Sequence, residues 1–71
     1  MPSEVRFAEV RRKLESHGWT LQRISGSHHV FIKKSEPRLI TLPVHAGKVK
    51  PGYISRIKRD FGIDLRAFKL E

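Results

Sequence analysis

The sequence predicts an α+β domain of element order α-β-β-β-α, a three-stranded antiparallel sheet with two helices packed on one face. Three observations carry this. Near each end, apolar residues recur at three and four positions, the spacing of a helix that buries one side. Between them lie three segments in which apolar and polar residues alternate, the period of a half-buried strand. The connections between those segments are too short for crossovers, so the strands form an antiparallel meander that can leave one face to water.

The first helix is expected over residues 3–18, "SEVRFAEVRRKLESHG". Ser3 can cap it, Glu4 suits its positive first turn, and Gly18 stands where a left-handed stop belongs. Val10 and Leu14, with Phe7 or Ala8 beside them, make a narrow apolar stripe. Arg11, Arg12 and Lys13 fall off that stripe and form a solvated basic face. His17 lies at the helix end, where a capping or surface role suits the dipole.

"WTLQRI" is the first strand, with Trp19 and Leu21 on one side and Thr20 and Gln22 on the other. "SGS" turns the chain, since glycine supplies positive φ. "HHVFIKK" is the second strand, with His28, Val30 and Ile32 on one face and His29, Phe31 and Lys33 on the other. "SEPR" is read as the next turn and "LITLPV" as the third strand, with Pro43 at a strand end or edge. "HAGKVKPG" is read as a loop. It leads into a helix with Pro51 at its first position, Lys50 just outside, Ile54, Ile57 and Phe61 on the buried side, and Gly62 at the close. A short turn capped by Asp64 follows, with Leu65 and Phe68 packing back.

The chain has 71 residues, enough for one domain (1–71) and one small core. That volume argues against a large cofactor site. With no cysteine, neither a disulfide framework nor a Cys-type zinc site can brace the fold. The longest apolar stretch is far too short to span a membrane, and no apolar leader follows the first Met; the expectation is a soluble, cytoplasmic protein. Fifteen Lys and Arg against seven Asp and Glu give a net charge of +8, with a pI near 10.7. Such a field is the electrostatic footprint of nucleic-acid binding, although it also keeps a small protein soluble and would attract an acidic protein partner.

Four histidines stand out. His28 and His29 are neighbours on a strand, so their side chains point to opposite faces and cannot act at one place. For the same reason they cannot share a metal, and no Cys, Asp or Glu cluster completes a ligand set; no metal is expected. Acid–base chemistry fits better, because histidine is the side chain whose ordinary titration range spans neutral pH. A neutral imidazole beside a phosphodiester can take the proton of a ribose 2′-OH. The alkoxide then attacks phosphorus to leave a 2′,3′-cyclic phosphate and a free 5′-OH, with nearby cations or the backbone N–H groups of the "SGS" turn stabilising the added charge. The alternative is a half-buried strand with polar tips, and the residues alone leave both open. His45 divides the same way, between a phosphate-contacting group and an ordinary loop residue. "GKVKPG" puts Lys48 and Lys50 at a helix N-terminus, a phosphate clamp in composition.

The set Gly18-Trp19, Arg23-Ile24-Ser25-Gly26-Ser27-His28-His29, Leu42-Pro43-Val44-His45 with Gly47-Lys48, and Lys50-Pro51-Gly52 with Ile54, Ile57 and Phe61-Gly62 resembles the HicA toxins. These are small mRNA interferases of type II toxin–antitoxin systems. The resemblance runs from the first helix to Ile63 and implies a fold like the double-stranded-RNA-binding domain. It also implies metal-independent cleavage of mRNA by one histidine that follows Gly-Ser or Gly-Gly. On this chain that residue is His28, with Gly26 and Ser27 shaping the turn that presents it. His29 is left with packing or RNA contact, and His45 is a further candidate contact. The implied protein partner is a HicB antitoxin covering the active surface; no cofactor is implied. The "DLRAFKLE" tail lies outside the motif set. Two other classes remain: a double-stranded RNA-binding module without chemistry, which needs the lysines but not His28, and an interaction protein whose basic surface meets an acidic partner.

Overall fold

The computed structural model describes residues 4–66. Its elements are β1 (Val5–Arg6), α1 (Phe7–Ser16), β2 (Thr20–Ser25), β3 (His28–Lys33), β4 (Glu36–Pro43), β5 (Lys48–Val49) and α2 (Pro51–Phe61). The three-stranded antiparallel sheet has the order β2-β3-β4, and β1 and β5 make a separate two-stranded pair. With α1 before the meander and α2 after it, the expected α-β-β-β-α fold is present.

The core lies between one sheet face and both helices. Val10 and Leu14 of α1 and Ile54 and Ile57 of α2 meet Phe31, Ile40 and Leu42 of the sheet, with Trp19, Val49, Ile63 and Leu65 closing the sides. The Trp19 and Phe61 rings stand nearly perpendicular, 5.3 Å between centroids. α2 is as read: Lys50 is its extended N-cap, Pro51 its first residue, and Gly62 its left-handed C-cap. Leu65 is fully buried, and the Asp64 carboxylate accepts the Arg66 N–H at 3.0 Å. Ser3 and Phe68, given roles above, lie outside the described residues.

Three expectations are corrected. The helix does not begin at residue 3: Val5 and Arg6 are a strand, Arg6 is the N-cap without a side-chain cap bond, and Glu9 rather than Glu4 occupies the first turn. The reason is burial. Paired with Val49, Val5 enters the core, which a helix continued toward residue 3 would not offer it. "SEPR" is not all turn, because β4 already starts at Glu36. Arg38 fastens that start: its Nε and Nη2 reach the two Glu36 carboxylate oxygens at 2.9 and 3.2 Å, and its guanidinium lies 4.4 Å from the Phe61 ring centre. "HAGKVKPG" is likewise more than a loop, since it contains a tight hairpin and β5.

The Arg38 side-chain bonds, and then its backbone N–H, hold the Glu36 carboxyl down at about 2 against its ordinary 4.5. A carboxyl depressed on folding adds stability above its unfolded value, and that stability is lost as the pH falls through the folded one. Glu36→Gln is therefore expected to flatten the fall in thermal midpoint between about pH 4.5 and about pH 2. Melts of both proteins across that window check it.

β4 is one margin of the sheet. The Val44 N–H donates to Ser27 O at 2.7 Å, so His28 and Pro43 form a pair of the non-hydrogen-bonded kind. Alternation then turns the N–H and C=O of Thr41 away from β3, toward the open edge. Pro37 and Pro43 bracket this stretch.

Candidate active site

The β2–β3 connection is a two-residue turn, Gly26-Ser27, closed by the pairing of Ser25 with His28. Gly26 has φ +60°, and a glycine with positive φ at the first central position matches the twist of a hairpin. Ordinary side chains are disfavoured there. The turn delivers His28 as the first residue of β3, opposite Ser25 on one side and Pro43 on the other.

Alternation separates the two histidines as anticipated. His29 and Phe31 face the helices. The His29 ring lies 4.5 Å from the Phe7 ring, centre to centre, and its Nδ1 is 3.0 Å from Ser27 O. A carbonyl can only accept, so Nδ1 carries the proton and donates. His29 thus braces the turn from inside. His28 is exposed on the opposite, helix-free face, and among the described residues its ring makes no hydrogen bond or ring contact.

Arg23 joins His28 on that face, and here the sequence reading falls short. Simple alternation puts Arg23 on the same side as Trp19 and Leu21. A β-bulge between Leu21 and Arg23 inserts one residue, pairing Leu21 with Phe31 but Arg23 with Val30. The extra residue reverses every side chain beyond it. Arg23 consequently stands on the outer face, two residues along from Ser25, the strand partner of His28. No periodicity rule reveals a bulge in advance.

The remaining candidates gather at the same end of the sheet. The Val44–Ser27 bond ties the "PVH" segment to the turn. Val44 packs on the core, so Pro43 and His45 on either side of it turn outward. His45 and Lys48 exchange both backbone hydrogen bonds at 3.0 Å across the two-residue turn Ala46-Gly47. Lys48 and Lys50 flank the fully buried Val49 and both lie exposed. Arg6, assigned to a helix above, is instead directly opposite Lys48. It was missed because its strand partner lies far away in the chain.

The grouping is cationic and exposed to solvent at Arg23, His28, His45, Lys48 and Lys50. A concavity of about 380 Å³ lies elsewhere, between β4 and α2, where Leu39, Thr41, Tyr53 and Arg56 line it. It contains none of the histidines. Among the described residues no three His, Cys, Asp or Glu side chains converge as metal ligands, and no helix is long and apolar enough to cross a membrane.

No curated protein matches the chain. A family model described as the HicA toxin of bacterial toxin–antitoxin systems matches residues 7–63, from the first residue of α1 to just beyond α2. That span takes in the whole meander, the Gly-Ser turn and the paired lysine segment. The chain belongs to the HicA toxin family.

Proposed function

We propose that this toxin is a metal-independent endoribonuclease acting on mRNA in the cytoplasm, with His28 as general base. The observation that carries the reading is the division of the histidine pair. His29 is spent on Ser27 and Phe7, while His28 is exposed on the opposite face, which it shares with Arg23. An RNA strand laid across this face brings a ribose 2′-OH to the His28 imidazole. The imidazole takes the proton, the 2′-oxygen bonds to phosphorus, and the P–O5′ bond breaks. The products are a 2′,3′-cyclic phosphate and, once the departing oxygen takes up a proton, a 5′-OH.

The protein supplies positioning and charge. Arg23 offsets the negative charge that builds on the phosphorane oxygens, as fixed cations do in a preorganised site. Gly26 and Ser27 hold the backbone of the turn against the same phosphate. His45, Lys48 and Lys50 hold the flanking RNA, and a net charge of +8 draws the polyanion in. The protein partner is a HicB-type antitoxin, and burial of the His28 face beneath it silences the enzyme.

The chemistry is tested on the products. With an RNA oligonucleotide, cleavage in excess chelator is expected to yield cyclic-phosphate and 5′-hydroxyl ends. One 2′-deoxy substitution at the cut nucleotide should abolish the cut there. Cleavage that survives the missing 2′-OH, or that leaves 5′-phosphate ends, sinks this mechanism. Binding without any cleavage would indicate the RNA-binding module without chemistry.

A further inference from the structure

The β1–β5 pair has a charge arrangement that its packing does not account for. The Phe7 N–H donates to Gly47 O at 2.7 Å, which makes Arg6 and Lys48 a non-hydrogen-bonded pair. In such pairs facing side chains come closest. On its other side Lys48 faces His45. Val5, Val49 and Val44 turn toward the core, so Arg6, Lys48 and His45 form one outward row across three backbone segments. All three are exposed.

Two cations set directly opposite each other destabilise a strand pair. Among the described residues neither Arg6 nor Lys48 forms an ion pair with an acidic side chain. The hairpin that adds His45 to the row is itself strained. Ala46 has φ +54°, the one non-glycine with positive φ among the described residues, where its Cβ crowds the backbone. Like-charge repulsion and backbone strain therefore coincide at one exposed spot, and an anion seated over the row would offset the repulsion.

We infer that Arg6, Lys48 and His45 form a phosphate subsite that takes an RNA backbone phosphate other than the one attacked at His28. The inference rests on the RNA-binding half of the reading above and not on its chemistry. Arg6 is the residue it adds. Its planar fork can hold two phosphate oxygens at once, while Lys48 adds a point charge and His45 a ring nitrogen.

The test is equilibrium binding of the full chain to a labelled 2′-O-methyl RNA oligonucleotide, which cannot be cut by 2′-OH attack, at several salt concentrations. Arg6→Gln is expected to weaken binding roughly five-fold at low salt and to reduce the slope of log K against log salt by about 0.7. The thermal midpoint of the free protein should hold or rise as the repulsion is removed. Arg6→Lys should restore most of the slope, and Arg59→Gln, at the far end of α2, should leave it unchanged. An unchanged slope in Arg6→Gln overturns the subsite. So does a binding loss that comes with a lower midpoint and is not restored by Arg6→Lys. If Arg6→Gln spares RNA binding but releases a polyglutamate peptide, the row is a docking point for acidic protein and the inference is wrong. Because the probe is not cleaved, failure of the His28 mechanism would leave these measurements untouched.

Discussion

His28→Ala is expected to lower the rate of RNA cleavage by about 10²–10⁴-fold, the usual contribution of a positioned acid–base group, with no change in thermal midpoint. The second half of that expectation comes from the structure. The His28 side chain is exposed, and among the described residues it contacts no partner by hydrogen bond or ring; removing such a side chain shifts stability by less than about 0.5 kcal/mol. His29→Ala should do the reverse. It deletes the bond to Ser27 O and the contact with Phe7, together worth about 1–2 kcal/mol. It should lower the midpoint while the folded fraction still cuts RNA. Single-turnover cleavage beside a melting curve separates the two variants. Full activity in His28→Ala would remove the general base from the mechanism, whatever else the surface binds.

Phe31→Ala is expected to unfold the protein at 37 °C. Phe31 is 0 % exposed and is central to the sheet, with Leu21 and Ile40 as its strand partners and the Phe7 ring 6.1 Å away. Truncating a buried phenylalanine costs about 3–5 kcal/mol, while a domain of this length has only about 4–10 kcal/mol in total. Circular dichroism should show no cooperative melt, or one displaced by tens of degrees. Phe31→Leu, which keeps most of the volume, should retain a cooperative transition. A Phe31→Ala protein melting close to the parent would mean the core is not centred where the structure places it.

Local rules carried most of the fold. In α2, Pro51, the Ile54-Ile57-Phe61 spacing and Gly62 all act within one or two turns, so the reading and the structure agree residue by residue. The opposed histidines were legible because a strand's period leaves no choice once Gly26-Ser27 is recognised as the turn. What escaped was non-local. Val5 and Arg6 read as part of the helix that follows them, and what makes them a strand is the pairing of Val5 with Val49, more than forty positions away. Arg23 changed faces through one inserted residue, which hydrophobic patterning does not register. Glu36 looked like a turn residue until Arg38 reached both back to its carboxylate and across to Phe61. The candidate site was therefore half visible: its histidine and lysines from the sequence, its two arginines only from the pairing.

The margin of β4 bears on how this chain behaves when it is alone. Outward-turned amide groups invite a second copy to add itself edge to edge, the first step toward aggregation. Here the invitation is narrow. Pro43 has no hydrogen to offer at one end and Pro37 none near the other, which leaves only a short stretch able to zip. Each copy also carries eight units of excess positive charge, so approaching copies repel. Along this margin the two prolines and the shared charge both oppose zipping of one toxin molecule onto another, whereas a partner of opposite charge meets no such repulsion.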